Sequence, residues 1–72
     1  MSALSVWVNG ERREVEPGTS LAALVAALAG ATEAPPGIAA AVNETVIPRG
    51  QWPGTALAEG DRVEVLTAVQ GG

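Results

Sequence analysis

One segment of the chain has the period of an α-helix, and this single stripe most constrains the possible folds. Its large apolar residues recur at i, i+3, i+4 and i+7: Leu21, Leu24, Val25 and Leu28. Thr19 or Ser20 can cap the start of this helix, and Gly30 is placed to end it. Because one helix cannot bury its own stripe, the rest of the chain must supply a layer that covers it.

The remaining apolar residues alternate along short segments, which is the period of β-strands. Strands are predicted at residues 3–8, 11–16, 38–42, 46–47 and 62–66. Asn9-Gly10 favours a two-residue hairpin between the first two strands. The fourth strand is stopped by Pro48, so we expect it to be short and at a sheet edge, with an irregular segment at 49–57. In the last strand, Val63 and Val65 are expected to face inward.

Two strands, one helix and three further strands predict an α+β fold, with the helix on one face of a mixed sheet of four to five strands. A ubiquitin-like β-grasp is the simplest such assembly. The 72 residues suffice for one domain, and we expect residues 67–72 to form a flexible tail. The chain has no cysteine, so burial of apolar surface alone must hold the fold together.

The composition excludes most types of catalysis and metal binding by side chains. The chain has no histidine and no cysteine, and all its basic residues are arginines. A serine nucleophile normally needs a histidine or lysine as its base, and zinc sites use cysteine or histidine. We therefore exclude an independent hydrolase or metalloenzyme, and expect neither a metal site nor a permanently bound cofactor.

Charge and hydropathy also limit the partners. The formal net charge is −4, the isoelectric point is about 4.4, and the arginines are scattered. This pattern disfavours nucleic acid and anionic membranes as partners. The longest apolar stretch, residues 21–29, is too short to span a bilayer. The predicted location is the cytoplasm.

The sequence ends in Gly71-Gly72, directly after a predicted strand. Two residues without side chains leave a carboxylate clear of the folded body, so this end could enter a narrow active site on another protein. ATP could adenylate the carboxylate there, giving a mixed anhydride open to a nucleophile. The alternative is a frayed end, which is the commonest meaning of small residues at a terminus. The β-grasp pattern in front of the glycines favours carboxyl chemistry.

Several motifs resemble the ThiS family of sulfur carrier proteins, and together they cover nearly the whole chain. They are Val8-Asn9-Gly10-Glu11, Gly18-Thr19-Ser20-Leu21, the Asn43 turn, Val46 to Trp52, Glu59-Gly60-Asp61 and the terminal Gly-Gly. The Pro-Arg-x-x-Trp segment at 48–52 is more specific to the family than Gly-Gly, which molybdopterin carriers and ubiquitin-like modifiers share. The helix departs from the family in its high alanine content.

The resemblance implies that an adenylyltransferase resembling ubiquitin-activating enzymes uses ATP to adenylate Gly72. Sulfur then replaces one carboxylate oxygen to give a thiocarboxylate, and a thiazole synthase takes this sulfur during thiamine biosynthesis. Gly71 and Gln70 belong to the tail that presents Gly72. The chain would then be a carrier and not an enzyme. The alternatives are a sulfur carrier for molybdopterin or cysteine synthesis, a ubiquitin-like modifier, and a pure binding module.

Five residues are candidates for docking the partners: Leu66, Ala68, Val69, Arg49 and Trp7. The first three lead into the tail as an apolar segment, although Leu66 could instead belong to the core. Trp7 is predicted on the sheet face away from the helix, where it could bind a partner or be partly covered by residues 49–57. Arg49 could pair with an acidic partner residue or remain solvated, and an internal ion pair would contribute little.

Two further features have structural interpretations. Trp52 is followed by Pro53-Gly54, and a tryptophan in such a setting is expected to pin an irregular segment to the core. Glu59 and Asp61 resemble paired carboxylates, but they flank Gly60 in a predicted turn. Turn carboxylates are selected for local hydrogen bonding, so we predict that role and not catalysis.

Overall fold

We describe residues 2–67 in a computed structural model of the chain. The strands are β1 (Leu4–Val8), β2 (Glu11–Val15), β3 (Ile38–Val42), β4 (Thr45–Ile47) and β5 (Arg62–Thr67), and the helix is α1 (Leu21–Leu28). The five predicted strands and the helix are confirmed, with strand ends that differ by one residue. The prediction of an irregular segment at 49–57 is wrong in its first part, because Arg49–Gly54 forms a 3₁₀ helix.

The strands form one mixed sheet in the order β2-β1-β5-β3-β4. β1 and β5 run parallel, and the other neighbouring pairs run antiparallel. The last strand is therefore the central one, held between the first and the third. β4 lies at a sheet edge, as predicted, and the predicted β-grasp fold is confirmed.

The helix begins and ends where capping groups satisfy its backbone. Ser20 is the N-cap, since its hydroxyl accepts a 3.0 Å hydrogen bond from the N–H of Ala23, whereas the Thr19 hydroxyl donates elsewhere. Gly30 follows the last turn with a φ of +69° and donates its N–H to the Ala27 carbonyl at 3.1 Å. Between residues 2 and 67, no helix is long and apolar enough to cross a membrane.

The core lies between α1, the 3₁₀ helix and one face of the sheet. Its buried residues are Val6, Val8, Leu21, Leu24, Val25, Ala34, Ala40, Trp52, Leu57 and Val63. Leu28, the last residue of the predicted helical stripe, is half-buried, and so is Val65 of β5. Burial of this set supplies the hydrophobic free energy that offsets the ordering of the chain.

Candidate functional site

The central strand β5 leads toward the Gly-Gly end of the sequence. It ends at Thr67, so the prediction of a tail from residue 67 is wrong for that residue, and five more residues follow to Gly72. The predictions for Ala68, Val69, Gln70, Gly71 and Gly72 lie outside the described residues. The described residues define the surface around the end of β5.

One face of the sheet packs on α1, and the opposite face, here called the open face, carries side chains that point away from the core. Residues paired directly across neighbouring strands share a face. The pairings place Trp7 of β1 with Arg12, Arg62, Glu64, Leu66, Ala39, Ala41 and Val46. Three large apolar side chains are exposed on this face, namely Trp7, Val46 and Leu66.

An apolar groove occupies the part of the open face nearest to Thr67. Its lining consists of Ala39, Ala40, Ala41, Val46, Glu64 and Leu66. Val46 is 71 % exposed and Leu66 is 66 % exposed, so the alternative that Leu66 belongs to the core is wrong. Leu66 directly precedes Thr67, and the groove therefore lies beside the end of β5.

Trp7 lies at the other end of the open face, between two arginines. It pairs with Arg12 on β2 and with Arg62 on β5. Arg12 is held across the sheet by donating to the Ser5 hydroxyl at 2.9 Å and 3.3 Å. The indole is 44 % exposed. The 3₁₀ helix packs against α1 on the opposite face, so residues 49–54 do not cover Trp7.

Arg49 forms internal contacts that the sequence did not indicate. Its guanidinium donates to the Pro35 carbonyl at 2.7 Å and also to the Ala34 carbonyl. It lies 5.2 Å from the centroid of the Trp52 ring, at cation–π distance. Arg49 therefore ties the loop before β3 to the 3₁₀ helix, although its predicted role in docking stays a prediction.

Trp52 pins the 3₁₀ helix to the core, as predicted. Its side chain is 2 % exposed, and its indole N–H donates to the Ile47 carbonyl at 2.8 Å. The Pro-Arg-x-x-Trp segment is thus one packed unit in which Arg49 covers the ring and Trp52 fills the core. The residues most specific to the sequence pattern hold the fold together.

The turn before β5 is built by its carboxylates. Glu59 accepts from the N–H of Ser5 at 2.9 Å, and Asp61 accepts from the N–H of Ala58 at 2.8 Å. The second Asp61 oxygen accepts from the Asn43 carboxamide at 3.0 Å. The predicted hydrogen-bonding role is confirmed, and the bonds also reach beyond the turn to β1 and to the β3–β4 turn.

Two asparagines brace β5 from its two sides, and sequence reasoning had treated both only as turn residues. Asn9 and Asn43 each have a φ of +50°, a conformation that asparagine tolerates better than most residues. The Asn9 carboxamide bonds both backbone groups of Val65, and the Asn43 carboxamide oxygen accepts from the N–H of Arg62. Each asparagine directly follows a predicted strand, and this position was the feature of the sequence that could have indicated the bracing role.

The replacement Arg49→Gln should lower the free energy of unfolding by about 2 kcal/mol, because it leaves two carbonyls and the Trp52 face without their cation. Denaturant unfolding measures this change, and backbone hydrogen exchange at residues 31–37 should become faster. The control is Arg13→Gln, at an exposed arginine for which residues 2–67 contain no side-chain hydrogen bond. An equal loss in both variants would contradict the proposed tie.

A mixed sheet in this order, covered by one helix and continued by its central strand toward Gly-Gly, defines a ubiquitin-like protein of the β-grasp class. The model of the ThiS family matches residues 6–72, so the chain belongs to the ThiS family of sulfur carriers. This finding confirms the resemblance seen in the sequence.

A solved structure gives an independent comparison. The chain is similar to the thiamine biosynthesis protein (ThiS) from Geobacter metallireducens, whose crystal structure it matches with a TM-score of 0.77 and 27 % identity. The match covers 96 % of this chain and 100 % of that one. No curated protein matches the chain at a significant level.

Proposed function

We propose that this chain carries sulfur for thiazole formation in thiamine biosynthesis, as a thiocarboxylate at the end of Gly72. The observation that carries the proposal is the position of β5 in the sheet. In a chain of the ThiS family, this central strand ends at Thr67, five residues before Gly72, and an exposed apolar groove lies beside its end. The similar protein from Geobacter metallireducens is named for thiamine biosynthesis, which supports the choice of pathway.

The chemistry needs a carboxylate and a partner that activates it. A Gly72 carboxylate oxygen attacks the α-phosphorus of ATP, pyrophosphate leaves, and an acyl adenylate forms. Hydrosulfide from the sulfur source then attacks the acyl carbon, AMP leaves, and the thiocarboxylate remains. This chain has no cysteine, histidine or lysine, so no such side chain competes for the activated carbonyl. The chain thus acts as the carrier, and its partners supply the catalysis.

The partners in this proposal are an adenylyltransferase resembling ubiquitin-activating enzymes and a thiazole synthase. Both must hold the Gly-Gly end, so both benefit from the apolar groove beside the end of β5. Leu66 and Val46 are the large exposed side chains there, and burying them supplies affinity. Ala68 and Val69 would extend the apolar contact toward the end, and Trp7 and Arg49 remain candidates at the periphery.

Intact mass spectrometry tests the carrier function directly. The protein is incubated with its cognate adenylyltransferase, ATP and a sulfur source, and we expect the mass gain of one oxygen exchanged for one sulfur at the terminus. Omitting ATP is the control. An unchanged mass in the complete mixture would overturn the carrier proposal in favour of a pure binding module.

A genetic experiment tests the pathway. Deletion of the gene should produce a growth requirement for thiazole. A requirement for cysteine or for molybdenum cofactor would move the carrier to one of those pathways.

The replacement Leu66→Glu should weaken binding to the adenylyltransferase about tenfold or more, because it places an unpaired charge at the centre of the buried contact. Titration of the two proteins by calorimetry measures the Kd. Ala23→Glu adds the same charge on the exposed side of α1 and should leave the Kd unchanged. Equal affinities of the Leu66→Glu variant and the wild type would place the docking surface elsewhere.

A further inference from the structure

β5 extends farther than its parallel neighbour β1. The two strands pair only at Trp7 with Arg62 and at Val8 with Val63. At Asn9, with a φ of +50°, the chain turns back into β2. Beyond Val63, the side of β5 that faces β1 therefore has no strand next to it within residues 2–67.

At Val65, the side chain of Asn9 makes the hydrogen bonds that a neighbouring strand would make. Its amide nitrogen donates to the Val65 carbonyl at 3.1 Å, and its amide oxygen accepts from the Val65 N–H at 2.9 Å. The backbone N–H of Asn9 donates to the Val63 carbonyl at 2.9 Å. The internal ladder on this side of β5 ends at Val65.

Thr67 is the next residue whose backbone groups point to that side. Backbone groups of a strand alternate between its two neighbours, and Val63 and Val65 already direct theirs toward β1. On the opposite side, β5 is bonded to β3 through the intervening residues, and the Asn43 N–H donates to the Arg62 carbonyl at 2.7 Å. Among residues 2–67, no hydrogen bond to the N–H or the carbonyl of Thr67 is found on the β1 side.

We propose that this edge at Thr67 is where an extended main-chain segment of the activating enzyme pairs, adding a strand to the sheet next to β5. The inference rests on the proposed function, because it names the protein that adenylates Gly72 as the occupant. Unpaired strand groups are a template for such an addition, in which main-chain hydrogen bonds give the affinity.

The position of the edge suits this partner. From Thr67 the chain continues for five residues to Gly72, and five extended residues span about 17 Å. A strand paired at Thr67 therefore fixes the register of the chain and leaves the carboxylate enough reach for a recessed active site. The Leu66 side chain belongs to the adjacent apolar groove, so one partner covers the groove and the edge together.

The test removes the main-chain donor without changing a side chain. A synthetic chain in which an ester replaces the amide of Thr67 lacks this N–H, and its Leu66 carbonyl, which faces β3, becomes a weaker hydrogen-bond acceptor. We expect its Kd for the adenylyltransferase to rise about threefold to tenfold, the loss of one hydrogen bond, at a temperature where circular dichroism shows the ester chain to be folded. Thr67→Val retains the N–H and is the matched control. An ester chain that binds as tightly as the wild type would overturn the proposal.

A second measurement uses the unmodified protein. Backbone hydrogen exchange at Thr67 should slow about tenfold or more when the adenylyltransferase binds, and unchanged exchange overturns the proposal. Intact mass spectrometry distinguishes a failure of the strand addition from a failure of the proposed carrier function. If the wild type gains sulfur while the ester chain binds normally, only the strand addition fails; if the wild type gains no sulfur, both proposals fail.

Discussion

A single valine added after Gly72 should abolish the gain of sulfur. The Gly72 carboxylate then becomes an amide that ATP cannot adenylate, and the new carboxylate stands one residue out of register beside a branched side chain. Because the core lies within residues 2–67, the free energy of unfolding should change by less than about 0.5 kcal/mol. Intact mass after incubation with adenylyltransferase, ATP and a sulfur source gives the loading, and thermal unfolding gives the stability.

The same residue added before Met1 is the matched control, and it should leave sulfur loading intact. Gly72→Ala keeps the carboxylate in register and adds only a methyl group, so it should load more slowly than the wild type. Continued loading of the chain extended after Gly72 would show that the terminal carboxylate is not the sulfur acceptor. If Gly72→Ala loads partially and the extended chain does not load at all, the free carboxylate is essential for loading. The absence of a side chain at residue 72 then affects only the rate of loading.

The sequence predicted most of the fold because local patterns coincide with the tertiary structure. The stripe from Leu21 to Leu28 has the helical period, and the strands alternate beside turn residues that tolerate a positive φ. Asn9-Gly10 set the hairpin that orders β1 and β2. The 3₁₀ helix at Arg49–Gly54 was missed, because it is short, has no apolar period and contains Pro53, which reads as a helix breaker.

The candidate site was less predictable, because its key contacts join distant residues. For Leu66, the sequence left open whether the side chain docks a partner or belongs to the core, and the assembled sheet leaves it exposed. The bonds between Asn9 and Val65, however, span 56 positions, and those from Arg49 to the loop before β3 span 14 and 15. No local pattern specifies such pairs, since only the assembled sheet brings them together.

The two faces of the sheet differ in what their side chains contribute. Arg49 and Trp52 stabilise the covered face, whereas Leu66 and Val46 leave apolar surface exposed on the open face. Apolar side chains that are exposed to this extent contribute little to folding, and their exposure supports the docking surface proposed above. Stability and docking can therefore be changed by separate substitutions.

The replacement Trp52→Ala should unfold about half of the protein at 25 °C. Removing a buried tryptophan costs about 3–5 kcal/mol, and a chain of this size without disulfides is stable by only about 3–5 kcal/mol. The loss includes the hydrogen bond to the Ile47 carbonyl and the contact with Arg49. Circular dichroism and denaturant unfolding measure the folded fraction.

Two further variants show which interactions of Trp52 account for the loss of stability. Trp7→Ala removes the other tryptophan, which is 44 % exposed, and should lower the free energy of unfolding by less than about 1 kcal/mol. Trp52→Phe keeps a ring in the core but leaves the Ile47 carbonyl without its donor, so a loss of about 1–2 kcal/mol is expected. If Trp52→Ala unfolded cooperatively at a midpoint near that of the wild type, the 3₁₀ helix would not depend on this side chain.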